Sequence, residues 1–319
     1  MICFEKASNF IKHSGEEDDT EFGVAMSPKK QPTVVLSNGV EMPMIGFGTW
    51  QLSGEAGKDA IKTAIRSGYR HIDTAAIYEN EAMIGEALKA YNHLAAIENA
   101  LQLLGTHYID LYLLHMPPMM HDGLTIEDVW RGFERLYDLG LTRAIGVSNC
   151  SYAQMEKIRK IARIPIQNSQ NECHVFFPAH DLQAYCQRHN IVLTSFATLG
   201  STHRDQFPAF KWVEGHPSPL NNQYVRAIAE KHGKSPAQVL LRYMLDRGIC
   251  VIPKAASHHR IAENIDILDF HLTADEIKKL GSLKEHIRYF TFSEFKDHPD
   301  YPFANCSSAK RSIGVIYGH

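Results

Sequence analysis

The segments YRHIDTA (69–75) and IDLYLLH (109–115) decide the fold of this chain. Both are interpreted as buried strands. The apolar runs of the predicted strands are continuous, not alternating, which is typical of strands covered on both faces. Segments whose apolar residues recur at helical spacing lie between and around them. The sequence therefore predicts buried strands that alternate with helices.

The same pattern continues outward in both directions without a break in composition. Further strands are predicted at 45–50, 143–149, 165–173, 191–197 and 249–254. Helices are predicted at 55–67, 80–104, 125–139, 151–162, 179–189, 222–232, 235–247 and 258–268. Such repeated βα units favour an α/β fold of the (β/α)8 TIM-barrel type over a doubly wound sheet. The dipeptide Asn38-Gly39 between two apolar runs predicts an N-terminal hairpin.

Composition excludes several classes of function. The chain has 319 residues, a formal net charge of −3 and 44% hydrophobic residues, so it gives no electrostatic reason to expect nucleic acid or an anionic membrane as partner. It contains no apolar run of the length that spans a membrane. Its 18 histidines are scattered without metal-ligand spacing, so no metal site is expected. Six cysteines without a CxxC motif indicate a reducing compartment.

Two regions are predicted from these patterns. Residues 1–31 carry the acidic run GEEDD (15–19) and no apolar signal core, so we expect a disordered N-terminal extension and no secretory signal. Residues 32–319 are expected to form the barrel. Its C-terminal tail, from residue 285, is too aromatic for a free tail, and we expect it to pack over the barrel mouth.

Several motifs occur in a fixed order. They are MIGFGTW (44–50), HIDTA (71–75), LHMP (114–117), GVSN (146–149), QNECH (170–174) and IPK (252–254) with RIAEN (260–264). Through them the chain resembles the aldo-keto reductase family over about residues 33–304. The resemblance implies NADPH-dependent reduction of aldehydes or ketones to alcohols by hydride transfer. It also implies a cytoplasmic monomer that acts on a small carbonyl substrate.

The resemblance assigns catalysis to Asp73, Tyr78 and His115. Tyr78 matches the proton donor, although a free phenol has a pKa of about 10 and is a weak acid at neutral pH. His115 would bind and orient the carbonyl oxygen, and Asp73 would hold the network. Taken singly, a tyrosine after a strand or a histidine at a strand end is more often part of the scaffold. All three at strand ends of one barrel favour catalysis.

The catalytic lysine of the family has no counterpart here. Between Lys89 and Arg131 the sequence contains no Lys or Arg, and the third barrel strand that carries this lysine is missing. The helices on either side are predicted to join. Without the cation, Asp73 should hold its proton more tightly and Tyr78 should titrate closer to an ordinary phenol. We therefore predict impaired catalysis.

The cofactor site implied by the resemblance is more complete. Nicotinamide would be held by Ser148, Asn149 and Gln170 and stacked on Phe196. The 2′-phosphate of NADP would meet Lys254 and Arg260. The full implied set is Thr49, Trp50, Asp73, Ser148, Asn149, Gln170, Phe196, Leu199, Lys254, Ser257, Arg260, Glu263 and Asn264. Alanines stand at 197 and 255, where the family commonly has hydroxyl residues.

Three interpretations stay open at this point. The chain could be a slow reductase, a non-catalytic pseudoenzyme that binds a nucleotide or a partner, or an unstable splice or gene-model form. The third follows from the clean excision near residues 91–93 amid intact flanking motifs. A barrel that lacks one of eight strands cannot close with normal shear unless its strands rearrange.

Overall fold

The computed structural model describes residues 2–3, 31–89, 104–120, 124–201 and 217–303. The strands are β1 (Ile2–Cys3), β2 (Thr33–Val35), β3 (Glu41–Pro43), β4 (Phe47–Gly48), β5 (Ile72–Asp73), β6 (Leu111–Leu114), β7 (Ile145–Ser148), β8 (Asn168–Glu172), β9 (Val192–Phe196) and β10 (Cys250–Val251). The helices are α1 (Gly54–Arg66), α2 (Glu81–Lys89), α3 (Ile126–Asp138), α4 (Tyr152–Ile161), α5 (His180–Arg188), α6 (Gln223–His232), α7 (Pro236–Asp246), α8 (His258–Ile265) and α9 (Ala274–Gly281).

Parallel strands form the wall of a (β/α)8-type barrel. Strands β6 to β10 pair in sequence order, each parallel to the next. Strands β4 and β5 form a second parallel pair. A parallel bridge between Ile45 and Val251 joins this pair to β10. The predicted α/β barrel architecture is therefore confirmed, although the ladder is not continuous around the barrel.

The break in the ladder lies between β5 and β6. In the part of the chain that the structure describes, no parallel strand stands between them, as the sequence predicts for the third strand. Instead, β1 pairs antiparallel with β6, with Ile2 opposite Tyr112 and Cys3 opposite Leu111. The N-terminal extension was predicted to be disordered, and at these two residues the structure differs. Residues 4–30 lie outside the described residues.

The predicted hairpin forms from β2 and β3 and covers the amino-terminal end of the barrel. Gly39 in its turn has φ +86°, a conformation that glycine adopts without steric cost. Leu36 and Met42 of the hairpin are buried in one cluster with residues near the start of three strands. Those barrel residues include Leu111, Ala144 and Cys250. The opposite, carboxyl-terminal end is thereby left as the open mouth.

Two helices of the structure differ from the sequence predictions. The predicted helix 80–104 is observed as α2 only as far as Lys89, and residues 90–103 lie outside the described part. Helix α9 was not predicted, although Thr273 and Glu276 form a capping box at its start. None of the helices within the described residues is both long and apolar enough to cross a membrane.

Gly146 marks the tightest backbone approach in the sheet. A Cβ atom at this position would lie 2.4 Å from the carbonyl oxygen of Asn168 and 2.6 Å from Leu113 Cδ2. Because the first of these atoms belongs to the backbone of β8, the strands themselves would have to separate. Gly132 in α3 is a matched contrast, because nothing lies within 4 Å of the place that a Cβ atom would take there.

We expect Gly146→Ala and Gly132→Ala to change stability in opposite directions. Overpacking between β7 and β8 should lower the free energy of unfolding by roughly 1–3 kcal/mol. Alanine in an open helical position should raise it by roughly 0.5–1 kcal/mol. Urea denaturation of both variants measures the two changes. Equal stability of the two variants would contradict the tight contact at Gly146.

Candidate active site

The carboxyl ends of the strands bring most of the predicted site residues to one mouth. Gly48 is in register with Asp73, and Ser148 is in register with Gln170. His115 follows directly after β6, and Lys254 follows β10. Because catalytic residues of this fold lie at the carboxyl-terminal face, the predicted positions coincide with the expected location of an active site.

Asp73 is the buried centre of this mouth, with 4% of its surface exposed. Its Oδ1 accepts a hydrogen bond of 3.0 Å from Gln170 Nε2. Its backbone oxygen accepts bonds from the amide and the hydroxyl of Thr49, at 3.1 and 2.9 Å. Within the described part of the chain, no lysine or arginine side chain pairs with the carboxylate. Among the described side chains, the donor to the carboxylate is therefore the neutral amide of Gln170.

Burial raises the pKa of Asp73 to about 7. The Gln170 hydrogen bond and the positive charge of the amino terminus act in the opposite direction but do not outweigh the loss of hydration. A carboxyl group in a poorly hydrated site keeps its proton because the charged form loses more solvation than the neutral form. Asp73 is therefore poised to exchange a proton near neutral pH.

Tyr78 and His115 face each other at the mouth. Their rings meet edge to face, with centroids 5.9 Å apart and planes at 84°. Burial raises the pKa of Tyr78 well above its usual value, and the charge of Asp73 raises it further, so the prediction of a nearly ordinary phenol was wrong. Burial, together with the positive charge of the amino terminus, lowers the pKa of His115 to about 3. Both groups are therefore neutral at physiological pH and can donate hydrogen bonds.

Asn80 anchors the turn that carries Tyr78. Its Oδ1 accepts a hydrogen bond of 2.8 Å from the Thr74 hydroxyl, and its Nδ2 donates to the backbone oxygens of Thr49 and Leu52 at 2.9 and 3.2 Å. The side chain is buried, so these bonds exchange little with water. Sequence reasoning missed this role, because two of the three partners, Thr49 and Leu52, lie 31 and 28 residues away along the chain.

An unpaired acceptor lies beside the predicted nicotinamide residues. Asn149 has φ +54° and donates from Nδ2 to the His115 carbonyl oxygen at 3.0 Å and to Ser148 Oγ at 3.1 Å. Its Oδ1 is buried and has no hydrogen-bond partner among the described residues. Because buried acceptors are normally paired, this atom fits a ligand that offers an N–H group, such as a carboxamide.

An aromatic wall borders the mouth. The ring centroid of Phe290 lies 5.9 Å from that of Trp50 and 5.3 Å from that of Phe196, in both cases edge to face. Leu199 packs against the same core. The C-terminal tail thus lies against the mouth at Phe290, as its aromatic content led us to expect. Residues 304–319 lie outside the described part.

Glu172 fastens this tail to the barrel. Its carboxylate accepts bonds from the backbone N–H groups of Tyr289 and Phe290 at 2.6 and 3.0 Å and from His174 Nε2 at 2.8 Å. Burial would raise the pKa of Glu172, but the His174 hydrogen bond, the charge of Arg288 and the Tyr289 amide hold it below its usual value. Glu172 is therefore a buried anion. The motif QNECH contained it, but its distant partners were not visible in the sequence.

The remaining predicted cofactor residues lie just before α8 and along it. Ser257 caps this helix, and its hydroxyl accepts from the Arg260 amide at 3.4 Å. Arg260 is exposed, whereas Asn264 is buried with 3% exposure. Burial lowers the pKa of Lys254. Glu263, half-buried, lies one helical turn further on. A helix N-terminus with nearby cations suits a phosphate group.

The family model for the aldo/keto reductase family matches residues 44–95 and 91–285. This chain belongs to the aldo/keto reductase family. By family it is an oxidoreductase. The two matched segments meet at residues 91–95, where the sequence lacks the strand and lysine. The comparison thus agrees with an excision at that point.

Individual relatives support the same assignment. Estradiol 17 beta-dehydrogenase 5 of Mus musculus is 35% identical over 322 residues, which covers 86% of this chain and 98% of the relative. Aldo-keto reductase family 1 member A1 of Bos taurus is also 35% identical, over 85% of this chain and 97% of the relative. The aldose reductase structure from Schistosoma japonicum superposes with a TM-score of 0.78 at 33% identity, covering 86% of this chain and 100% of that chain.

The raised pKa of Asp73 predicts that stability falls as pH rises. Between its ordinary value of 3.8 and the folded value of about 7, the folded state binds the proton and the unfolded state does not. The free energy of unfolding therefore decreases across this window.

Asp73→Asn should remove that dependence. Relative to the unmodified protein, the variant should gain up to a few kcal/mol at pH 8, at about 1.4 kcal/mol per pKa unit, and little near pH 4. Urea denaturation from pH 4 to pH 8 measures the difference between the two proteins. A difference that is independent of pH would show that Asp73 titrates normally.

Glu172→Gln should loosen the C-terminal tail. Removing the anion leaves Arg288 without its buried countercharge, which typically costs about 3–5 kcal/mol. We expect a lower free energy of unfolding and faster tryptic cleavage after Arg288, read by mass spectrometry. Glu230→Gln, at an exposed position of α6, is the control. Identical cleavage rates in the two variants would contradict the fastening role of Glu172.

Proposed function

We propose that this chain reduces small aldehydes or ketones to alcohols with NADPH as hydride donor. The observation that carries the proposal is the hydrogen bond of 3.0 Å between Gln170 Nε2 and Asp73 Oδ1. It joins a residue of the implied nicotinamide set to a residue of the implied catalytic set at one barrel mouth. Family membership gives the reaction class, and the geometry supports its location.

Tyr78 is the proton donor in this proposal. Its hydroxyl gives a proton to the carbonyl oxygen of the substrate while His115, neutral at physiological pH, donates a hydrogen bond to the same oxygen. Asp73 holds Gln170 and Thr49 in place and exchanges protons near neutral pH. The absent lysine would have stabilised a tyrosinate, so we propose a turnover slower than that of relatives that retain it.

The cofactor fits the residues at the mouth. The unpaired Asn149 Oδ1, with Ser148 and Gln170, would hold the nicotinamide carboxamide, and Phe196 would pack on the ring. The rest of the nucleotide would lie along Thr49, Trp50 and Leu199 towards α8. There, Lys254, Ser257 and Arg260 would take the 2′-phosphate, and Glu263 and Asn264 the adenine. When bound, NADPH supplies the hydride.

The aromatic wall of Trp50, Phe196 and Phe290 favours hydrophobic carbonyl compounds, because apolar linings bind apolar ligands. We further propose that the protein works as a monomer in the cytoplasm. Cysteines 150, 173, 186 and 250 are buried free thiols, which agrees with a reducing compartment.

A non-catalytic nucleotide-binding role is the second candidate. The observation that favours it is the uncharged state of Tyr78, since the pKa of this phenol is raised rather than lowered. In this role the Ser148, Asn149 and Gln170 group would hold the same nucleotide without turnover.

Tyr78→Phe separates the two candidates. If Tyr78 donates the proton, NADPH oxidation with a reactive aromatic aldehyde should fall by about 10²-fold or more, since general acid catalysis contributes roughly 10²–10⁴. The Kd for NADPH, measured by quenching of protein fluorescence, should stay the same. Tyr152→Phe, 45% exposed, is the control and should leave both quantities unchanged.

Other results decide against the first candidate. If the Tyr78→Phe variant oxidised NADPH at the same rate as the unmodified protein, Tyr78 would have no part in the mechanism. Tight NADPH binding without measurable oxidation in the unmodified protein supports the pseudoenzyme.

A further inference from the structure

Two strand edges face the break in the barrel. Strand β5 pairs with β4 on one side, and β6 pairs with β7 on one side. In β6 the amide of Tyr112 donates to the Ala144 carbonyl oxygen, at 2.9 Å, which directs the backbone N–H of Tyr112 towards β7. Backbone groups alternate in direction along a strand, so those of Leu111 and Leu113 face the break. The edge of a parallel sheet readily accepts another strand.

The amino-terminal strand occupies this break. Strand β1 pairs with the β6 edge and also contacts β5, so it lies between the two edges. In this pairing Cys3 lies opposite Leu111, and the backbone groups of Leu111 face the break. Within the described residues, β1 with the β4–β5 pair and β6 to β10 makes a set of eight strands around the barrel.

We propose that the β6 edge is a strand-binding site whose ligand is the amino-terminal segment at Ile2–Cys3 of the same chain. The segment replaces the missing third strand in antiparallel orientation and shields an edge that would otherwise pair with a second copy. This proposal does not depend on the proposed activity.

Sequence and electrostatics support the assignment. The first four residues read MICF, and isoleucine and phenylalanine favour strands. The acidic run at 15–19 consists of residues that are depleted in strands. Because β1 is antiparallel to β6, its amino-terminal end is directed towards the mouth. The positive charge of the amino terminus lowers the pKa of both Asp73 and His115, which lie at the mouth. These effects agree with the direction of β1.

Disulfide trapping tests the register. Opposed residues of a hydrogen-bonded antiparallel pair have Cα atoms roughly 5.5 Å apart, within the range that a disulfide bridges. Leu111→Cys should therefore form an intramolecular disulfide with the native Cys3 on mild oxidation, identified by peptide mass mapping. The same variant with Cys3→Ser is the control and should form no such link. If the new thiol were instead linked to Cys3 of another chain, a second copy would fill the edge, and the proposal would be overturned.

Hydrogen exchange tests the same site without a core substitution. Cys3→Pro removes a backbone donor from β1, so the amides of residues 109–115 should exchange at least about tenfold faster than in the unmodified protein. Ser8→Pro, outside β1, should leave that segment unchanged. Equal exchange in the two variants, or no intramolecular link in folded Leu111→Cys, would overturn the proposal.

Discussion

A buried carboxylate without a side-chain countercharge is the constraint on which the active site depends. Asp73 is 4% exposed, and its carboxylate accepts a hydrogen bond from the neutral amide of Gln170. A buried ion pair resists protonation, whereas a buried lone carboxyl keeps its proton. The same loss of hydration acts on Tyr78 and His115. The site therefore combines two uncharged hydrogen-bond donors, Tyr78 and His115, with a carboxyl group that titrates near neutral pH, and it is not an ion-paired network.

The second consequence of the missing segment concerns the barrel itself. A closed barrel has no edges, and the loss of one strand creates two. Strand β1 covers the β6 edge, while the β2–β3 hairpin fills the opposite end of the barrel. Glu172 holds the aromatic tail over the mouth through Tyr289 and Phe290. Segments outside the βα repeats thus complete the structure at three places.

The sequence predicted what local patterns encode. Continuous apolar runs identified the parallel strands, and Asn38-Gly39 identified the hairpin. Asp73, Tyr78 and His115 meet at the mouth because strand ends in this fold converge. The sequence did not predict β1, whose partner Leu111 is more than one hundred residues away. It also missed the role of Glu172, because that depends on backbone amides from the tail. Helix α9 was missed although its capping box was visible.

A direct titration of Asp73 tests the central claim, that this carboxyl lacks an effective countercharge. Carboxyl ¹³C chemical shifts can be followed from pH 3 to pH 9 in the full chain, with the resonance assigned by its loss in Asp73→Asn. We predict a midpoint near pH 7, because burial raises the pKa of this carboxyl to about 7. A midpoint below its ordinary value of 3.8 would show that a cation neutralises the carboxylate and would contradict this claim.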